Sequence, residues 1–149
     1  LQTIFNSPVF ILKKELLIIP IFGWYLKKIG SISIKRNKIS KENIGFFDEI
    51  LKQVNSSYRP IIIFPQGTRL YPNERTKFKK GVSRIYDELK ISCQPIAINS
   101  GFTWPKNGLK QINTKLIISI LKPIDAGLEK EIFLKKLENV IYSELDTLD

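Results

Sequence analysis

The stretch Ile61-Ile62-Ile63-Phe64-Pro65-Gln66-Gly67-Thr68-Arg69 constrains the fold more than any other. Three β-branched residues and a Phe form a short, wholly apolar run, which predicts a strand in the middle of a sheet covered on both faces. Pro65 stops that strand, because proline cannot donate to the ladder. Gly67 lets the backbone turn sharply or approach a ligand closely. Thr68 and Arg69 then place a hydroxyl and a guanidinium at the mouth of the loop. A guanidinium suits phosphate, because its planar fork donates two parallel hydrogen bonds. In α/β sheets ligands bind beyond the carboxyl ends of strands, which is where this loop falls. On residue types alone, the competing reading is a surface turn with a solvated Arg69.

The string Phe64-Pro65-Gln66-Gly67-Thr68-Arg69 closely resembles the F-P-E-G-T-R box of the glycerophospholipid acyltransferases, the lysophosphatidic acid acyltransferase family. Gln66 stands where that family most often has Glu. It keeps the size and an acceptor oxygen but loses the negative charge. Further upstream, Gly30-Ser31-Ile32-Ser33-Ile34-Lys35-Arg36 alternates apolar and polar residues and reads as a strand ending at Arg36. It resembles the family's second box, G-x-I-x-I-D-R, with Lys35 in place of Asp. Pro95-Ile96-Ala97-Ile98 resembles the fourth box, a short V-P-V-type strand. The order K-K-E-L-L-x-I-P-x-F-G-W-Y-L from Lys13 onward is similar to a bacterial branch of the same family. The resemblance runs over essentially the whole chain. It implies an α/β fold with a central, mostly parallel mixed sheet flanked by helices, as one acyltransferase-like domain over residues 1–149.

Length and composition agree with a folded domain. The chain has 149 residues, 43% hydrophobic and 26% charged, enough for one core and too few for two comfortable ones. The formal net charge is +10. Residues 1–60 carry 10 basic and 4 acidic side chains, residues 61–122 carry 11 and 3, and residues 123–149 carry 3 and 7. The positive surplus therefore belongs to the body around the Arg69 loop. Nucleic acid, an anionic membrane surface and phosphorylated small molecules are the partners such a charge allows. The basic residues gather beside strand ends with no recognised nucleic-acid motif, so no nucleic-acid partner is expected, and a basic nucleic-acid-binding module stands only as an alternative. A single cysteine, Cys93, excludes an internal disulfide and a cysteine-based zinc site; beside an apolar run, it reads as a buried small residue.

Taken in order, Leu1 to Phe5 reads as an apolar loop or helix tail, with Asn6-Ser7-Pro8 as a turn and Val9 to Leu12 as a strand. Leu16 to Leu26 is apolar and aromatic, flanked by lysines and interrupted by Pro20 and Gly23. It is too short to span a bilayer, which needs roughly 20 apolar residues. It is either a core helix kinked at Pro20 or a helix at a membrane interface with Trp24 and Tyr25 at headgroup level, and both can hold. Ser40 is placed to cap a packing helix running to about Val54. After Arg69 a polar loop carries a basic cluster, then Phe78-Lys79-Lys80-Gly81 opens a helix with Val82, Ile85, Tyr86 and Leu89 on one face. The first turn of that helix, beside Lys79 and Lys80, is a natural anion site. Asn99 to Pro105 reads as a loop holding a Trp, either packed or forming a pocket wall. Leu116 to Leu121 is a further strand, and Leu128 to Leu148 an amphipathic helix that closes the core.

The resemblance implies the chemistry. The acyl donor is acyl-CoA or acyl-carrier protein, the acceptor is a lysophospholipid, and the product is phosphatidic acid. Arg36 and Arg69 would hold the acceptor phosphate, with Thr68, the Gly67 backbone and Lys79 nearby; Gly30 and Pro95 belong to the motifs that frame them. No metal or redox cofactor is implied. Acyl transfer to an alcohol needs a base, usually His near neutral pH, and in the family an H-x-x-x-x-D box supplies it. The chain contains no His. By the family's order that box is expected upstream of Leu1, so this chain is expected to be a truncated form, inactive alone. A non-catalytic membrane-surface homologue is the alternative. The expected location is the cytoplasmic face of a membrane, peripheral or anchored by the upstream part.

Overall fold

The computed structural model describes residues 4–34, 44–57, 59–71, 73–105 and 107–148. The chain divides into two compact units, Leu1–Phe64 and Pro65–Asp149.

In the first unit, β1 (Val9–Lys13) is the central strand, with β2 (Ile32–Ile34) and β3 (Ile61–Ile63) on either side. Both pairings are parallel, Ile11 lying opposite Ile32 on one side and Ile63 on the other. Parallel neighbours need long crossovers, and the chain supplies them. Between β1 and β2 run a 3₁₀ helix (Lys14–Ile18) and α1 (Phe22–Lys28). Between β2 and β3 lies α2 (Ile44–Ser57). Val9, Ile11, Leu26, Ile32 and Ile50 are buried and make this unit's core.

Two expectations are corrected here. The run Ile61–Ile63 is an edge strand, half-buried throughout, because among the described residues it pairs only with β1. An apolar run predicts burial but not strand order, and the sheet closes around Val9 and Ile11 instead. Leu16 to Leu26 is not one helix kinked at Pro20. A 3₁₀ helix ends at Ile18, the chain turns at Ile19 to Ile21, and α1 begins afresh at Phe22. Gly23 makes that turn possible: a Cβ built there would lie 2.1 Å from the Leu17 carbonyl oxygen.

Arg59 ties the first unit together. Its guanidinium donates from Nε to the Ser7 carbonyl at 2.5 Å and from Nη2 to the Ile29 carbonyl at 2.7 Å, with a longer contact to Pro8 at 3.4 Å. Gly30, with φ +76°, turns the chain directly beside Arg59, where an added Cβ would sit 3.2 Å from Nη1. The glycine of the second box is thus needed for a positive φ and a close approach.

In the second unit, β4 (Ile96–Ile98) and β5 (Ile118–Ile120) pair antiparallel, Ala97 opposite Ser119. The helices are α3 (Lys80–Leu89), a short α4 (Ser100–Thr103) and α5 (Lys130–Leu145). The apolar faces of α3 and α5 meet: Val82, Ile85, Tyr86, Phe133, Leu137 and Ile141 are buried. The rings of Tyr86 and Phe133 stack with centroids 3.7 Å apart. The Tyr86 hydroxyl donates to the Asp125 carbonyl at 2.5 Å and accepts the Leu128 N–H at 3.1 Å, so its polar end is satisfied. Asn99 is buried after β4; its amide donates to the Lys115 carbonyl at 3.1 Å and its oxygen accepts the Ile117 N–H at 2.7 Å. Pro95 is fully buried and its carbonyl accepts from Leu121 at 3.0 Å. Parallel pairing in one unit and antiparallel pairing in the other, with helices between strands, make this an α/β protein. No helix among the described residues is long and apolar enough to cross a membrane.

Candidate anion-binding loop

The loop after Phe64 is built on α5. Pro65 ends the strand run, and Gly67 takes φ +69°, a conformation that favours glycine. The loop closes on itself where the Lys79 N–H donates to the Pro65 carbonyl at 2.9 Å. That bond joins the box to the start of α3, whose first turn carries no acidic residue. A chain of contacts then fixes the loop to α5. The Tyr142 hydroxyl donates to the Thr76 carbonyl at 2.6 Å and accepts the Thr76 N–H at 3.2 Å. The Phe78 N–H donates to Glu138 Oε1 at 2.5 Å, and the Phe78 and Tyr142 rings lie 5.2 Å apart. Arg75 forms an ion pair with Asp146 and sits over the Tyr142 ring at 5.2 Å. Gln66 Nε2 reaches the same Tyr142 hydroxyl at 3.5 Å, a long contact.

On this base the reactive-looking groups face solvent. Thr68 and Arg69 are exposed. The Arg69 guanidinium lies 5.8 Å from the centre of the Trp104 ring, within cation–π range. Among the described residues, neither Arg69 nor Lys79 forms an ion pair with a carboxylate. A guanidinium held by a ring and unneutralised by an acid is suited to a phosphate.

The structure therefore brings Pro65, Gln66, Gly67, Thr68, Arg69 and Lys79 into one closed loop. Arg36 and the helix cap at Ser40 lie outside the described residues. Gly30 and Phe64 belong to the first unit, where Gly30 serves the turn beside Arg59 and Phe64 is exposed. Pro95 is a core residue of the second unit. Tyr142 is the support that the motifs did not assign; the segment Asn99 to Pro105, read as a loop, instead contains α4, and Trp104 is exposed beside Arg69 rather than packed. The signal for Tyr142 is a polar-tipped ring among the apolar positions of α5. Cys93 is half-buried and burial pushes its thiol up to about 11, so it is no nucleophile at neutral pH.

A sequence profile of the family described as Acyltransferase matches residues 1–99, and the chain belongs to that family. Among its relatives are proteins named 1-acyl-sn-glycerol-3-phosphate acyltransferase. The one from Saccharomyces cerevisiae is 33% identical over 141 residues, covering 91% of this chain and 46% of that protein. The one from Pseudomonas aeruginosa is 35% identical over 115 residues, covering 72% of this chain and 43% of that protein. The chain thus spans about half the length of these relatives. The crystal structure of the 1-acyl-sn-glycerophosphate (LPA) acyltransferase PlsC from Thermotoga maritima superposes with a TM-score of 0.76 at 23% identity, over 95% of this chain and 57% of that one, which establishes the fold.

Proposed function

We propose that residues 1–149 form the acceptor-binding part of an acyltransferase that makes phosphatidic acid. In this reading an acyl group passes from acyl-CoA or acyl-carrier protein to the 2-hydroxyl of lysophosphatidic acid. The hydroxyl oxygen attacks the thioester carbonyl, its proton goes to a base, and the C–S bond breaks to release the thiol. No metal or redox cofactor enters that scheme. The observation that carries the reading is the Arg69 guanidinium, presented by a closed loop and unpaired with any described acid. Thr68 and the Gly67 backbone stand beside it, Lys79 is tied to the base of the loop, and Arg36 is the second guanidinium of the proposal. The names of the relatives support the same acceptor. The work takes place at an anionic membrane surface on the cytoplasmic face, to which the +10 charge is suited.

With no His in its 149 residues, the chain by itself binds acceptor and does not turn it over. That same absence favours a second reading, a non-catalytic membrane-surface homologue. The two part on the reading frame upstream of Leu1, where an H-x-x-x-x-D or H-x-x-x-x-E box supports the enzyme and its absence supports the homologue. The headgroup reading is tested by binding of lysophosphatidic acid to the wild type, Arg69→Ala and Arg69→Lys. Ala is expected to weaken binding about tenfold or more, and Lys to restore only part, because it lacks the fork. Monoacylglycerol, which has no phosphate, should bind all three alike. Equal affinity of the three proteins for lysophosphatidic acid overturns the proposal.

A further inference from the structure

Ile21 sits in a conformation that a β-branched residue rarely takes, with φ +63° and ψ −54°. The Phe22 N–H donates back to the Pro20 carbonyl at 2.6 Å across it. This is the strained form of the γ-turn, uncommon even for small residues. The strain does not serve the core, because Ile21 is 84% exposed. Its neighbours repeat the pattern: Ile18 is 79% exposed and Trp24 64%, with Phe22 and Tyr25 also exposed. Beneath them, Gly23 and Leu26 are buried, and Gly23 packs directly on the Leu17 carbonyl. Helical spacing explains the division. Ile21, Trp24, Tyr25 and Lys28 share one face of α1, while Gly23 and Leu26 share the other. The turn and short helix form a ledge that is anchored through Gly23 and Leu26 and holds Ile18, Ile21 and Trp24 in water.

The charges flanking this ledge are one-sided. Lys13, Lys14, Lys27 and Lys28 are exposed, against one acid, Glu15. Lys28 Nζ lies 4.9 Å from the centre of the Trp24 ring. We propose that residues 18–25 insert into the interface of a bilayer containing anionic lipid, Ile21 leading, with the four lysines seated on the headgroups. Aliphatic side chains gain by leaving water, Trp and Tyr suit the headgroup boundary, and lysines are drawn to anionic lipid. A symmetric second copy would set the same lysines against each other, which disfavours a dimer through this patch. This inference gives a surface to the membrane part of the preceding proposal and rests on it. It does not involve Arg69.

The test is binding of the chain to vesicles of phosphatidylcholine with phosphatidylglycerol and of phosphatidylcholine alone, followed by Trp24 emission in a Trp104→Phe background. Mixed vesicles are expected to shift the emission to shorter wavelength. Ile21→Gly relieves the backbone strain while removing the leading side chain. It should keep or raise the melting temperature and lower binding about tenfold. The pair Lys27→Gln and Lys28→Gln should lower binding to the mixed vesicles about tenfold or more and leave binding to phosphatidylcholine unchanged. Vesicle binding by these variants equal to wild type overturns the inference and leaves a membrane role through another surface. No vesicle binding by the wild type overturns both it and the membrane part of the functional proposal. Trp24 becoming buried by self-association without lipid also overturns it. None of these outcomes bears on lysophosphatidic acid binding, which is measured separately.

Discussion

The hydroxyl of Tyr142 answers both backbone groups of Thr76, accepting its N–H at 3.2 Å and donating to its carbonyl at 2.6 Å. This is the hydrogen-bond pattern of a strand partner, supplied by one side chain on α5. It holds the middle of the loop that begins at Gly67 and ends at Lys79. Tyr142→Phe keeps the ring contacts with Phe78 and Arg75 and removes only the oxygen. The expected loss of stability is about 2 kcal/mol, since two partly buried backbone groups lose their partner. Lysophosphatidic acid binding should weaken as well, because the Arg69 loop loses its brace. Chemical denaturation and ligand titration on the same sample check both. Unchanged binding with lowered stability would show that the brace does not reach Arg69.

Arg59 is the corresponding fastening in the first unit, donating to the carbonyls of Ser7 and Ile29 with Pro8 close by. The planar fork matters because the acceptors lie on separate segments, the turn before β1 and the end of α1. Arg59→Lys keeps the charge and loses the geometry. It should cost about 1–2 kcal/mol, and Arg59→Leu about 3 kcal/mol, seen as lowered midpoints in urea. Midpoints equal to wild type for both variants would reduce Arg59 to a surface charge.

Much of this was legible in the residues. The amphipathic periods of α3 and α5 predict helices, and Val82, Ile85, Tyr86, Phe133, Leu137 and Ile141 are buried on the apolar faces so read, while Leu89 at the end of the α3 face is only half-buried and Ser83 is buried beside it. The box from Pro65 to Arg69 identifies the loop because its backbone demands, a strand stop and a positive-φ glycine, are local. Strand order was not legible, since three isoleucines look the same at an edge and at a centre. Nor was the turn at Ile21, where the close approach of Gly23 to Leu17 decides the path and apolar periodicity carries no signal. Tyr142 escaped notice because its partner is a backbone group distant in sequence.

Burial gives Cys93 a pH signature. Its thiol is raised from 9.0 to about 11 in the folded chain. The folded state then holds its proton more tightly than the unfolded state. This contribution to stability is complete below pH 9.0 and is lost as pH rises toward about 11. Cys93→Ala should flatten the alkaline fall in melting temperature over that window. It should leave the acid limb untouched. Iodoacetamide should label the native chain slowly at pH 8 and the urea-unfolded chain fast. Rapid labelling of the native chain would contradict a half-buried, neutral thiol.

Trp104 is 61% exposed at the end of α4. What it touches is the Arg69 guanidinium, at 5.8 Å. A long arginine in water samples many rotamers, and a ring beneath it limits them before ligand arrives. The gain is small, roughly 0.5–1 kcal/mol at an exposed site. Trp104→Ala should therefore weaken lysophosphatidic acid binding about threefold with no change in melting temperature, and Trp104→Phe should restore most of it. The double variant Arg69→Ala with Trp104→Ala should bind no more weakly than Arg69→Ala alone, because the ring then has nothing to hold. Additive losses in that cycle would mean that Trp104 contacts the lipid itself, through its own face and independently of the arginine.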